Sequence, residues 1–461
     1  MEIKNAVTFD DVLLVPRVSK VYSRKSVDTS THITDSLKLN VPILSSNMDT
    51  VTESSMAIAV AKAGGVGVIH RFNTIEAEAD EITKVKREQN IVIEKPYTVT
   101  KDYTLSRLLA LTTDKGVSSF PVVEGKKLVG MITRRDFQFE ENGAKTVGEL
   151  MTKDVITATK GVSLDDAKLI MQKGKVDKLP LVDKNMTLLG MITARDIMLY
   201  DGYSNASKDR KGRLMVGASI GIGSDYMDRV IGLVKAEADF IVIDVANGYL
   251  EKVADTVKEI KKRFDIGVIA GNVATKDGVL NLKRAGADAI KVGIGPGGAC
   301  LTRPVAGVGY PQLSAIMECS RAGIPVIADG GIKKSADLSK AIAGGAAAAM
   351  IGGMFAGTDE SPGAIVTKEN KNYKFYRGMA SVNAYSDRAV RIDEAVDLEG
   401  YTPEGTERLV LYNGSVVKII NNLVGGLRSA MTYLNSRNLK EFRKNARFVG
   451  LTEAGKKESK Y

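Results

Sequence analysis

Eight short apolar runs, each followed by an amphipathic segment, set the tightest limit on what this chain can fold into. They are VPILSS (41–46), GVGVIH (65–70), LMVGASI (214–220), FIVIDVA (240–246), GVIAGNV (267–273), AIKVGI (289–294), IPVIADG (324–330) and AAAMIGG (347–353). A strand with one wet face alternates apolar and polar residues. These runs are apolar almost throughout, as parallel strands covered on both faces are. The segments between them, such as YLEKVADTVKEIKKRF, place apolar residues at helical spacing. Eight β-then-α units predict an α/β fold of the TIM (β/α)8 type, with an open doubly wound sheet as the alternative. The count of eight favours the barrel, as does the gathering of polar and glycine residues at strand C-terminal ends.

An insertion separates the second and third units and carries its own repeat. LVGMITRRD (128–136) returns as LLGMITARD (188–196), and SSFPVVEGKK upstream matches DKLPLVDKNM. Each copy reads as helix, strand, turn, strand, helix, so two copies can cover each other's sheet faces. The predicted division is a barrel of residues 1–91 and 204–461 with a regulatory pair at 92–203. The pair resembles tandem CBS (Bateman) domains, which often bind adenine nucleotides, here extended to guanine nucleotides, at a Thr/Ser-x-x-Asp motif. Thr133 with Asp136 and Thr193 with Asp196 match it. Helix N-capping by the threonine is the equally simple alternative.

Composition excludes several classes. Among 461 residues, 44% are hydrophobic and 26% charged, and no apolar run reaches the length that spans a bilayer. The N-terminal stretch MEIKNAVTFDDVLLVP lacks a basic-then-apolar pattern, so no signal peptide and no membrane partner are expected. Two cysteines and two histidines form no ligand-spaced cluster and suggest a reducing, cytoplasmic setting. The net charge of +10 is spread among acids and comes without tryptophan, so no nucleic acid is expected as partner.

In a barrel the strand C-terminal ends converge on one mouth, where active sites sit. Here they supply Ser46, Asn47 and Met48; His70 and Arg71; Gly217; Asp244 and Asn247; Asn272; Asp329, Gly330 and Gly331; and Gly352 and Gly353. The sixth end opens into VGIGPGGACLTRPVAGVGYPQ (292–312), whose Gly293, Gly295, Gly297 and Gly298 let the loop bend and present bare backbone groups. Cys300, within it and close to Arg303 in sequence, is a candidate nucleophile. Cys319, in the helical SAIMECSRAG, reads as an inert buried thiol.

TFDDVLLVP, NMDTV, AGNV, GVGYPQ, ADGGI, FAGTDESPG, YRGMAS and GGLRS, together with the cysteine loop, resemble the IMP dehydrogenase/GMP reductase family nearly end to end. The resemblance implies a TIM barrel assembled as tetramers, sometimes octamers, acting on a purine nucleoside monophosphate through a covalent adduct at purine C2. It places the adduct on Cys300 and a proton relay on Thr302 and Glu404. Asp329 holds the ribose, and Gly331, Gly352, Gly353 and Tyr376 the phosphate. Ser46, Met48, Asn272, Gly378 and Met379 line the nucleotide, while Asp244, Asn247, Gly293 and Gly295 face the nicotinamide. A K⁺-type cation on Gly295, Gly297, Cys300 and Glu458 is a further expectation of the resemblance.

Two activities share the adduct. A dehydrogenase oxidises IMP with NAD and then hydrolyses the adduct to release XMP, whereas a reductase expels ammonia from GMP and reduces the same carbon with NADPH. The dehydrogenases of this family activate water with an Arg-Tyr pair on a flap. Here the segment reads SDRAV, so Arg388 is present and Ala389 stands at the tyrosine position. DVANGY, SNMDTV, GVGYPQLSA, IGGM and TYLNSRNLKE lean to the reductase, while TPEGTE, FAGTDESPG, TEAGKKES and the CBS pair lean to the dehydrogenase. Gly298 replaces a common phosphate-binding serine, Arg71 a usual lysine and Leu301 a usual Thr or Ile. The expectation is GMP reductase, with IMP dehydrogenase as the alternative and a catalytically silent nucleotide sensor as a third reading.

Overall fold

Each apolar run supplies one strand: β1 (Ile43–Ser45), β2 (Val66–Ile69), β3 (Val216–Ile220), β4 (Phe240–Asp244), β5 (Gly267–Val273), β6 (Ala289–Val292), β7 (Val326–Asp329) and β8 (Ala348–Ile351). All pair in parallel in the order β3-β4-β5-β6-β7-β8-β1-β2, with Ala349 of β8 opposite Ile43 of β1, and the ring closes through Val216 of β3 opposite Gly67 of β2. Closure excludes the open sheet, and the TIM barrel stands. The computed structural model describes every residue except 1, 2, 4, 89–91, 196, 199–203, 392–399 and 459–461, and except the side chains at 388 and 391.

One helix backs each strand: α1 (Ser54–Lys62), α2 (Ile75–Glu88), α3 (Tyr226–Lys235), α4 (Glu251–Arg263), α5 (Lys276–Arg284), α6 (Gln312–Cys319), α7 (Ser335–Ala343) and α8 (Val416–Tyr433). Helix α4 shows the local logic. Val253, Val257 and Ile260 are buried on one face, and Lys261, Lys262 and Arg263 fill the last turn, where cations complement the helix dipole. Inside the barrel, Phe240 lies where a Cβ on Gly217 would be 2.3 Å from its ring, and Ile33, Leu37 and Leu39 of an N-terminal hairpin join it. This plug fills the N-terminal end of the barrel and leaves the opposite end as the mouth.

Beyond β8 the chain makes an antiparallel sheet of β9 (Val366–Lys368), β10 (Lys371–Arg377) and β11 (Glu407–Leu411), with a helix Val382–Arg391 between the last two. This excursion carries Tyr376 to Ala380 and Glu404 to Arg408.

The chain divides into two compact units, Met1–Glu88 with Asn205–Tyr461, and Gln89–Ser204. The smaller unit has a hairpin, Ser119–Glu124 with Lys127–Thr133, and a four-stranded sheet built on Lys178–Val182 and Leu188–Thr193. Its two repeats meet through equivalent positions. The Leu128 amide donates to the Met186 carbonyl at 2.8 Å, and the Leu188 amide to the Lys126 carbonyl at 2.9 Å. Among the described residues no helix is long and apolar enough to cross a membrane.

Candidate active site

The barrel mouth holds a cavity of about 610 Å³, and the loop after β6 forms one wall. Gly293 has φ +151°, and a Cβ there would lie 2.1 Å from the Asp329 carbonyl oxygen, so only glycine fits. Gly295, at φ +85°, turns the chain in the left-handed region. The loop is then stitched to the segment that precedes β11. The Leu301 amide donates to the Glu404 carbonyl at 2.6 Å, the Thr406 amide to the Ala299 carbonyl at 2.9 Å, and Cys300 bridges Gly405. These bonds bring Glu404 to the wall that carries Cys300 and Thr302. The Cys300 thiol donates to Thr302 Oγ1 at 3.2 Å, and all three residues line the cavity. Cys319 differs: burial, with Glu318 nearby, pushes its thiol up to about 12, which keeps it inert.

Ser46 and Met48 after β1, Asn272 in β5, Gly331 after β7, and Gly352 and Gly353 after β8 line the same space, with Gly297, Tyr376, Gly378 and Met379. A Cβ on Gly352 would lie 3.2 Å from Met48 Sδ and 3.4 Å from the Tyr376 hydroxyl, so both side chains pack close to this backbone. Burial pushes the Tyr376 hydroxyl up to about 12, with Arg408 opposing the rise, so at neutral pH it remains a donor.

The floor is ionic. Lys291 of β6 reaches Asp244 at the end of β4 and Asp329 at the end of β7, each at 2.6 Å. Asn47 donates to Asp244 and Asn272 to Asp329, both at 2.9 Å. Burial pushes the Asp244 carboxyl upward, but Lys291, Asn47 and Arg71 outweigh it and hold it below its ordinary range. Burial pulls the Lys291 ammonium downward, and the two carboxylates reverse this and hold it above its ordinary value. Sequence reasoning missed Lys291, although a lysine inside an otherwise apolar parallel strand is itself a signal of a buried partner.

Several expected residues lie elsewhere. Asn247 is exposed, is not part of the cavity wall, and accepts from the Tyr249 amide at 3.1 Å in a turn. The side chain of Arg388 lies outside the described residues, as does Asp196. The cation donor set does not fit within this chain. Glu458 sits on the exposed end of the helix Glu453–Glu458, and a Cβ on Gly295 would be 2.5 Å from the Arg303 side chain, so a cationic residue already covers that glycine. Arg303 itself donates to the Tyr310 carbonyl at 2.6 Å. In the smaller unit Asp136 accepts from the Thr133 amide at 2.7 Å and from its hydroxyl at 2.9 Å, which is the helix-capping arrangement. Thr193 is buried at the end of its strand.

A closed parallel barrel whose mouth sets a thiol between glycine backbone and clamped carboxylates belongs to the class of (β/α)8 enzymes. Comparison narrows the class. Residues 6–461 match the IMP dehydrogenase / GMP reductase domain. The chain is 46% identical to inosine-5'-monophosphate dehydrogenase of Nitrosopumilus maritimus over 100% of this chain and 98% of that protein. With the protein of the same name from Aquifex aeolicus the identity is 48%, covering 99% of this chain and 95% of that one. A crystal structure of a cysteine-to-alanine variant of GMP reductase from Trypanosoma brucei, in complex with guanosine 5'-monophosphate, superposes with a TM-score of 0.90. It is 40% identical and covers 100% of this chain and 98% of that one. The chain belongs to the IMP dehydrogenase/GMP reductase family and is a purine nucleotide oxidoreductase that uses a nicotinamide cofactor.

Proposed function

We propose that the chain is a GMP reductase, converting GMP and NADPH to IMP, ammonia and NADP. The observation that supports this is the state of position 389. Ala389 lies in the helix Val382–Arg391, is 4% exposed and carries no hydroxyl, so the partner that would help Arg388 activate water is missing. A reductase needs no such water. In this reading Cys300 Sγ adds to purine C2, and the exocyclic amine leaves as ammonia with a proton passed through Thr302 and Glu404. A bound reduced nicotinamide would supply the hydride at C2, and Cys300 would leave as thiolate as the C2–H bond forms. Asp244, Gly293 and Gly295 line the cavity and offer the wall against which a nicotinamide would lie beside the purine.

The second reading is IMP dehydrogenase with NAD, and the names of the curated relatives weigh more for it than for the reductase. One assay separates the two. The enzyme is incubated with GMP plus NADPH, and separately with IMP plus NAD, while absorbance of the reduced nicotinamide is followed. Consumption in the first mixture alone is the expected result; production in the second alone overturns the reductase. Arg388→Ala should leave a reductase nearly as active and cripple a dehydrogenase, so a large loss in the first mixture would show that Arg388 serves something other than water activation. Assembly as a tetramer or octamer, and nucleotide binding by the smaller unit through Thr133 and Thr193, carry over from the family as parts of the same proposal.

A further inference from the structure

We infer that Arg408 grips the 5′-phosphate of the purine nucleoside monophosphate from a notch that exists because residue 298 has no side chain. The inference rests on the purine nucleotide reading and is indifferent to which of the two reactions runs.

Arg408 stands on β11 directly opposite Tyr376 of β10, and its guanidinium carbon is 5.5 Å from the centre of the tyrosine ring. Both residues line the mouth cavity with Gly352 and Gly353. A Cβ built on Gly298 would lie 2.8 Å from Arg408 Nη2, so any side chain there displaces the guanidinium. Glycine amides and a tyrosine hydroxyl can hydrogen-bond a phosphate, yet none carries the full charge that offsets its desolvation. Other nearby cations are committed: Lys291 to Asp244 and Asp329, Arg303 to the Tyr310 carbonyl, and Arg377 to Asp49 and Asp387. Among the described residues the Arg408 side chain makes no hydrogen bond or ion pair, and its guanidinium lies over the ring of Tyr376. A guanidinium over a ring, at a cavity wall that also carries glycine backbone, suits bidentate binding of a phosphate.

The test is calorimetric titration of the full chain with GMP, IMP, guanosine and inorganic phosphate, alongside steady-state kinetics. Arg408→Met should weaken both nucleotides about 10- to 100-fold, the worth of a charge-assisted hydrogen bond, and leave guanosine unaffected. KM for the nucleotide should rise while KM for the nicotinamide holds, and Arg408→Lys should recover part of the loss. Gly298→Ala moves only the end of a flexible side chain, so it should fold, weaken nucleotide binding in the wild-type background, and add little to Arg408→Met. Equal loss of GMP and guanosine would reduce Arg408 to a support for Tyr376 and overturn the proposal. So would unchanged nucleotide binding in Arg408→Met, or a loss seen only in Lys333→Met, the other cation on this wall. Failure of the wild type to bind either nucleotide would sink the purine reading. Inorganic phosphate would still judge Arg408, because its binding should weaken in Arg408→Met and not in Lys333→Met.

Discussion

Cys300→Ala should abolish turnover, by about four orders of magnitude or more, while GMP and IMP bind within about threefold of wild type. The separation follows from the layout of the mouth. The backbone of Gly352 and Gly353 and the Asp329 carboxylate lie on other strands than the loop that carries the thiol, so deleting one sulfur leaves them in place. Thr302→Ala and Glu404→Gln remove proton-handling groups and should cost about 10²- to 10⁴-fold, less than the nucleophile. Glu404→Gln keeps the backbone carbonyl that accepts from Leu301, so the loop stays stitched and the loss reads the carboxylate alone. Stopped assays with excess enzyme check this, since they read the chemical step before product release. Residual turnover of Cys300→Ala above a hundredth of wild type would mean that the reaction does not pass through a bond to this sulfur.

The barrel was legible because its evidence is local. A parallel strand buried on both faces must be apolar at nearly every position, so eight runs and their order could be read without knowing which strands touch. GVIAGNV even coincides with β5 residue for residue. The cysteine loop was legible for a related reason, since a thiol amid glycines at a strand end has few packing roles. The ionic floor was hidden because it depends on curvature. Asp244 and Lys291 lie on strands separated by β5, and they meet across it because Gly271 leaves room between them, where a Cβ would be 2.7 Å from Lys291 Cβ. Asn247 was misplaced by the opposite error. It follows a strand end in sequence, but a turn directs its side chain to the Tyr249 amide instead of into the cavity. The Thr-x-x-Asp match at Thr133 was ambiguous in sequence because a capping box and a nucleotide site ask for the same residues.

Lys291→Met should lower stability by about 3–5 kcal/mol and reduce kcat/KM more than any other change on the cavity floor, because it leaves two clustered carboxylates without their cation. The Lys291 side chain is 3% exposed and joins two strand ends, so its loss removes the cation that both carboxylates share. The pH dependence carries the diagnosis. Asp244 is held below its ordinary range, so its contribution is present above that range and lost as pH falls through its lowered pKa. Lys291 is held above its ordinary 10.5, so its contribution is present below that value and lost as pH rises through its raised pKa. Around neutrality the wild type has both. In Lys291→Met the Asp244 carboxylate loses the partner that depressed it, and protonation relieves its repulsion with Asp329. The deficit against wild type should therefore shrink as pH falls from about 7 to about 5, whereas a packing defect would stay constant. Lys291→Arg keeps the charge and should recover most of the stability, with a residual rise in KM because the longer fork cannot reproduce both 2.6 Å contacts. Urea unfolding at the two pH values, with nucleotide and nicotinamide KM measured separately, distinguishes the outcomes. A pH-independent deficit would show that Lys291 acts by filling space, and equal KM values in wild type and Lys291→Met would remove it from the positioning of either ligand.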